Sequence, residues 1–275
     1  MRAVNIAERS QRDIFTLLKA DFTRVFFSWP FYTAIIGVAL LNLLSISDEL
    51  QYMVFTVHDT PTVFYLYYIH DAFGPPIIIF LCALPFASSF CTDWNNRYTR
   101  YCIIRSSARA YGRSKVIVTA VTGFLAIFIG TGLLYGILGI FLPWYDAGSL
   151  KMNAPFLSVL SGAGPLPYFA ASIFFDALGY AFLAVFALWI STRITNIFVV
   201  MSSPIILYYG WQYLSGAAEL PEIVRFQHVM NRSFLQSKIA SDGLSVLFAA
   251  VYFFILILLF GTLFSAGVKR RMKNV

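Results

Sequence analysis

Apolar positions along this chain gather into six runs bounded by polar or basic residues: Phe31 to Ile46, Pro61 to Cys91, Val116 to Tyr145, Pro167 to Ser191, Ile194 to Tyr213 and Leu244 to Val268. Bilayer hydrocarbon about 30 Å thick is spanned by roughly 20 apolar residues in a helix, so these runs read as membrane spans. The first run is short and borrows apolar residues from the segment before it. In that segment, SQRDIFTLLKADFTRVFFSWP, the residues Ile14, Leu18, Phe22, Val25, Phe26 and Trp29 recur at helical spacing on one face. Arg12, Lys19 and Arg24 lie elsewhere around the wheel. The pattern predicts an amphipathic helix within residues 1–30, started at Ser10 with Asp13 close behind, and an elbow near Pro30. Such a helix either lies along the membrane surface or extends the first span. The predicted fold is an all-α integral membrane protein: six transmembrane helices preceded by an interfacial helix, in a single domain over 1–275.

Helix punctuation refines the runs. Asp59 or Thr60 can cap the second, with Pro61 in its first turn. Gly74, Pro75 and Pro76 interrupt that run and predict a kink in its outer half, as Pro204 does in the fifth. Gly132 and Gly136 permit close helix approach in the third, within the subunit or at a seam between copies.

Composition agrees with the bilayer as solvent, since 59% hydrophobic residues and 12% charged lie outside the range of soluble domains. Lysine and arginine set the orientation. With the N-terminus inside, the inner segments hold Arg2, Arg9, Arg12, Lys19, Arg24, all six basic residues of 92–115, Arg193, and Lys269, Arg270, Arg271 and Lys273. The outer segments hold Lys151, Arg225, Arg232 and Lys238. Trp29, Trp94 and Trp189 fall at inner boundaries and Trp144 and Trp211 at outer ones, as interfacial tryptophans do. Both termini are expected in the cytoplasm. The net charge of +7 is then topological, and its division among separate segments argues against nucleic acid as a partner. Cys91 and Cys102 fall on the reducing side and Cys82 in the membrane, so no disulfide framework is expected. The first 30 residues are too polar for a signal-peptide core.

Between the second and third runs lies TDWNNRYTRYCIIRSSARAYGRSK, residues 92–115. Orientation alone needs few charges and no aromatics, yet Trp94, Tyr98, Tyr101 and Tyr111 interleave with Arg97, Arg100, Arg105, Arg109, Arg113 and Lys115. Arg97, Tyr101 and Arg105 recur at four-residue spacing, so a short helix would present guanidinium groups to a partner's carboxylates. A helix resting on acidic lipid uses the same chemistry.

The run FASSFCTDWNNR leaving the second span, followed by SSARAYGRSK before the third, resembles the first cytoplasmic loop of ABC type-2 exporter permeases. Asp93, Ser107, Arg109, Tyr111, Ser114 and Lys115 occupy the places of that family's acidic, Ser, Arg, Tyr and Lys positions. The sequence has Asp93 where Glu is commoner and Asn95-Asn96 where a Gly is frequent. The six-span plan and the basic amphipathic helix match as well. The resemblance implies a permease subunit whose coupling loop docks on a separate ABC ATPase, two per complex, with ATP and Mg bound there. Asp93, Arg97, Tyr101, Arg105, Arg109, Tyr111 and Lys115 would be the docking residues. It also implies pairing with a second copy or a sister permease and outward movement of substrate across a cell membrane, in a bacterium the inner or cytoplasmic one. The chain itself carries no GxxxxGK[ST] phosphate loop and no polar segment long enough for a nucleotide-binding domain, so no catalysis is expected of it. His58, His70 and His228 are scattered, and no metal site is expected.

Asp176 lies nine residues beyond Pro167, roughly 14 Å into the bilayer at the helical rise. Ionisable groups at such depth face a cavity or a partner, so Asp176 either lines a translocation path or braces helices through Ser172, Tyr180 or another hydroxyl. His70 and Asp71, nearer the outer surface, either join that path or are solvated at the interface. Residues 214–243 form an outer segment alternating at helical spacing, in which the family would place short helices that dip back, and Asn231-Arg232-Ser233 fits a glycosylation acceptor. Aromatic, weakly charged spans suit an amphipathic substrate: a peptide, a drug-like molecule or a lipid-linked compound. The competing class is an ion-coupled transporter or a non-transporting membrane immunity protein. With the native cysteines replaced, membrane-impermeant thiol reagents on intact cells should modify a cysteine placed at Ser149 or Ser237 and spare one at Ser106 or Asn274. Labelling at Ser106 would invert the map.

Overall fold

A computed structural model describes residues 2–48, 50–51, 61–62, 65, 76–145, 162–231, 235, 237–239 and 241–273. Among these the main elements are helices: α1 Arg2–Phe26, α2 Trp29–Ser45, α3 Pro76–Ala83, α4 Ser89–Asn95, α5 Tyr98–Arg105, α6 Ala108–Phe141, α7 Pro165–Ser191, α8 Ile197–Ala217, α9 Phe226–Met230 and α10 Asp242–Lys273. A 3₁₀ turn, Glu222–Val224, precedes α9. Four helices, α6, α7, α8 and α10, are long and apolar enough to cross a membrane; α1 from Ile14 with α2 makes a fifth candidate, bent by 57°. The elbow falls at Phe27–Ser28, where extended Ser28 precedes Pro30 in the first turn of α2. Helix α1 begins well before the start expected at Ser10. Most of the second apolar run, with His70, Asp71, Gly74 and Pro75, lies outside the described residues.

Helices α6 and α7 form the spine. α7 packs along α6 and α10, and α2 packs along α6. The main core gathers Val38, Leu134, Tyr135, Phe169, Phe182 and Phe253 from these helices and Ile79 from α3. Gly130 lets α2 approach: a Cβ there would sit 2.7 Å from the Ile35 carbonyl oxygen, a backbone atom that cannot swing away. The expectation for Gly132 and Gly136 within the subunit is corrected, since a Cβ at either would meet nothing within 4 Å. On a helix, 130 and 132 point in directions far apart, so only the first faces α2.

The second apolar run ends in a way its composition does not announce. After α3 the regular helix gives way to a run of turns over 84–88 before α4 begins. Pro85 has no N–H for the Leu81 carbonyl, and that carbonyl instead accepts from the Leu84 N–H at 3.2 Å. Pro204 is absorbed within α8: the Val200 carbonyl that it orphans accepts from Ser203 Oγ at 2.7 Å. Within residues 214–243 the chain does form a short helix. α9 buries Phe226 and Val229, sets Phe226 edge-on to Phe182, and donates from Gln227 Nε2 to the Tyr208 carbonyl at 2.6 Å.

Close packing of α2 on α6 can be tested directly. Gly130→Ala should destabilise the protein by about 1 to 3 kcal/mol through overpacking, whereas Gly132→Ala should be neutral or slightly stabilising. Thermal unfolding of purified protein in detergent reads both.

Candidate functional site

Basic residues that the sequence scatters over distant segments meet at one end of the bundle. Arg271 near the end of α10 donates from Nε to the Thr192 carbonyl at 2.7 Å and from an Nη to the Arg193 carbonyl at 2.8 Å, capping α7. Its guanidinium also lies 5.1 Å from the Trp94 ring centre of α4. Helices α1, α4, α5 and the first turns of α6 share this end.

At its centre is a buried ion network. The Lys115 ammonium, 1% exposed, lies 2.9 Å from Asp21 Oδ1 of α1 and 2.8 Å from Asp93 Oδ2 of α4. Ser114 Oγ donates to Asp21 Oδ2 at 2.7 Å, and Tyr111 OH to Asp93 Oδ2 at 2.9 Å. Arg24 closes the network with a 2.6 Å bond from Nη1 to Asp93 Oδ1. Two carboxylates and two cations balance, which is what burial demands, since a lone buried charge costs several kcal/mol. The Lys115 ammonium also sits 4.5 Å from the Phe86 ring centre. Phe90, Tyr111, Leu188, Phe264 and Val268 pack beside the network and keep it dry. Burial opposes ionisation of Asp93, but Lys115 first and then Arg24 overcome it and hold the carboxyl below the usual carboxylate range.

The local sequence explains why these side chains converge. Lys115, Tyr111 and Ser114 lie within one turn of α6, and Ser107 Oγ fixes where that helix starts by accepting from the Ala110 N–H at 3.1 Å. Leu18, Asp21 and Val25 form one stripe of α1, so the acid is carried inward with the apolar face that packs on α6. Phe26 and Trp29, expected on that face, are exposed.

The seven residues expected to form one docking surface divide into two sets. Asp93, Tyr111 and Lys115 are buried in the network and are corrected from surface to interior. Arg97, Tyr101, Arg105 and Arg109 are exposed. Helix α5 turns Thr99 inward and presents Tyr98, Tyr101 and Ile104 with Arg100 and Arg105 outward. Arg97 adopts the left-handed conformation, φ 59°, at the corner between α4 and α5, where Gly or Asn would be easier. Arg109 sits in the first turn of α6, where the helix dipole disfavours positive charge and no acid offsets it. Asp176 is buried in α7 beyond this cluster, and His70 and Asp71 lie outside the described residues. Sequence reasoning missed Asp21 and Arg24 as site residues; the available signal was an acid inside the apolar stripe of α1. Among the described residues no group of His, Cys, Asp or Glu could hold a metal ion.

Comparison with known protein families, with curated proteins and with solved structures finds no match.

The network's charge balance sets two expected outcomes. Lys115→Met strips Asp21 of its cation and leaves Asp93 with Arg24 alone, and should destabilise the protein by about 3 to 5 kcal/mol, while Arg24→Gln, at a position 43% exposed, should cost no more than about 1 kcal/mol. Because the Asp93 carboxyl is held low, its contribution is full near neutral pH and is lost as pH falls through and below the ordinary carboxylate range. Unfolding midpoints across an acid pH series should fall less steeply in Asp93→Asn than in the unaltered protein.

Proposed function

We propose that this chain is the transmembrane permease subunit of an ATP-driven ABC exporter, with six spans and both termini in the cytoplasm. It would work as a dimer, with itself or a sister permease, in a cell membrane, driven from the cytoplasmic side by two ATPase subunits that bind ATP and Mg. The observation that carries the reading is helix α5: an exposed basic and aromatic face, braced through α4 and α6 by the buried network that also grips α1. A surface that must transmit force needs such backing, because a push on a loose loop would be dissipated in the loop.

Two local costs support a docking role. Arg97 holds a left-handed backbone and Arg109 opposes the α6 dipole, and neither feature helps the isolated chain fold. A partner rich in carboxylates would offset both. Mechanically, closure of two ATPases would displace α5; the Asp93–Lys115–Asp21 bonds would pass that displacement to α6 and α1, and α6 would move α7 along their shared face. The substrate would be amphipathic, matching the aromatic spans.

Arg105→Glu with Arg109→Glu tests the reading. Removing one charge-assisted hydrogen bond weakens docking by roughly 1.5 to 3 kcal/mol, and reversing the charge adds repulsion. The ATPase that co-purifies with the unaltered chain should dissociate or hydrolyse ATP without export. Undiminished co-purification with normal export would remove the docking role, and reduced dependence on anionic lipid alone would assign α5 to the membrane surface.

A further inference from the structure

The second apolar run changes partners partway along its length. Ile78, Ile79, Leu81 and Cys82 of α3 are buried in the main core, with α7 and α8 as the chief neighbours of that helix. Four residues after Cys82, Phe86 belongs to a different cluster. It packs with Val25 of α1, Phe31 of α2 and Val118 and Ala126 of α6, and its ring faces the Lys115 ammonium at 4.5 Å. The run of turns at 84–88 joins the two environments, and its backbone bonding is mixed. Leu84 N–H donates to the Leu81 carbonyl, three residues back, Ala87 N–H to the Ala83 carbonyl, four back, and Ser89 N–H to the Phe86 carbonyl, three back. A stretch that mixes the two bonding patterns around a proline bends more readily than a continuous α-helix.

The seam beside these turns is smooth. Ala83, Ala87 and Cys91, at four-residue spacing, cluster with Ala187 of α7 and Val200 of α8. Small side chains bring helices close without interlocking them, the form of contact along which packed helices slide. Phe90 sends a large ring across to α10, edge-on to Phe264 at 5.5 Å, but it opens α4 and so lies beside the turns, where a swing displaces it least.

Two unequal sets of ties hold α4. On one side Asp93 bonds to Lys115, Tyr111 and Arg24 in the buried network. On the other, Cys91 Sγ donates to the Ile194 carbonyl at 3.8 Å, Asn95 Nδ2 donates to the Thr195 carbonyl at 3.3 Å, and the Arg271 guanidinium covers the Trp94 ring. Parting the first set strands charges in a dry interior, whereas the Asn95 and Arg271 contacts lie where water can replace what is lost. Strain on α4 is therefore relieved on the second side.

We propose that residues 84–88 are a hinge on which α4 and α5 swing together with α1 and the first turns of α6, and that Arg271, pinned to the Thr192 and Arg193 carbonyls, is the latch that holds them against the corner between α7 and α8. This deepens the exporter reading, on which it rests for what drives the swing. Trp94, eight residues beyond Phe86, lies about 12 Å from the turns at the helical rise, so a tilt of about 20° carries it about 4 Å and parts it from Arg271.

The test uses full-length protein in nanodiscs, without ATP or any ATPase, with Cys82, Cys91 and Cys102 replaced by alanine. Spin labels at exposed Arg100 on α5 and Phe198 at the start of α8, read by pulsed dipolar spectroscopy, report the swing. Labels at Arg100 and Lys19 report whether the swinging body stays whole. The unaltered latch should give one narrow Arg100–Phe198 distance. Arg271→Gln should add a population about 3 Å or more longer, while the Arg100–Lys19 distance holds. Trp94→Leu, which leaves the cap on α7 in place, should do the same and replaces Arg271→Gln if that variant does not fold. Adding Pro85→Ala, which supplies an N–H for the Leu81 carbonyl, should shrink the longer population. An Arg100–Phe198 distance unchanged in both latch variants, or already broad with the latch intact, would overturn the latch. A longer population that Pro85→Ala leaves undiminished, or that comes with an equal lengthening of Arg100–Lys19, would overturn the hinge. Because no ATPase is present, failure of the exporter reading leaves these outcomes unaffected.

Discussion

The Lys115 ammonium, buried between Asp21 and Asp93, is the constraint around which the rest of this fold is arranged. An ammonium cannot stay in a dry environment without compensation, and its two acids cannot stay without it. The three come from segments far apart in sequence, so the charge balance acts only when α1, α4 and α6 are in place together. Apolar contact between helices in a bilayer is weakly directional, because lipid tails are as apolar as leucine side chains. The network supplies the direction. It fixes the depth at which α1 meets α6 and the angle from which α4 hands the chain to α5.

The exposed face of α5 follows from that placement. The tight corner at Arg97 leaves α5 only eight residues to return the chain to α6, and Thr99 faces the interior, so the arginines and tyrosines on the opposite side face outward. Arg271 adds a second tie by capping α7 and covering Trp94, which joins the C-terminal helix to the same end. From there α6 and α7 run together through the bundle past Asp176. One pair of helices thus connects a charged end to a carboxyl buried midway along the bundle.

The helices α2, α7, α8 and α10 were readable within a few residues, and α6 except for its start, because apolar runs of about 16 residues or more have few alternatives to a helix. Their junctions were less readable. The break at 84–88 lies inside an apolar run and depends on Pro85, whereas the sequence drew attention to Gly74, Pro75 and Pro76. The α6 start at Ala108 moved Arg109, Tyr111 and Lys115 from a loop to a helix, and Ser107 was the residue that signalled it. Burial was the least legible property. A lysine in a basic stretch is exposed by default, and nothing local to Lys115 announces that Asp21 will reach it from α1. Gly130 and Gly132 look alike in sequence and differ only in which one meets a neighbouring backbone.

The central claim is that the buried network holds α1 and α6 as one unit. Spin labels at exposed Lys19 on α1 and Arg113 on α6, read by pulsed dipolar spectroscopy in nanodiscs, measure the spacing of those helices directly. The account predicts one narrow distance distribution in the unaltered protein and a broad or shifted one in Lys115→Met, with the α6–α7 spacing unchanged. An equally narrow, unshifted α1–α6 distribution in Lys115→Met would contradict it.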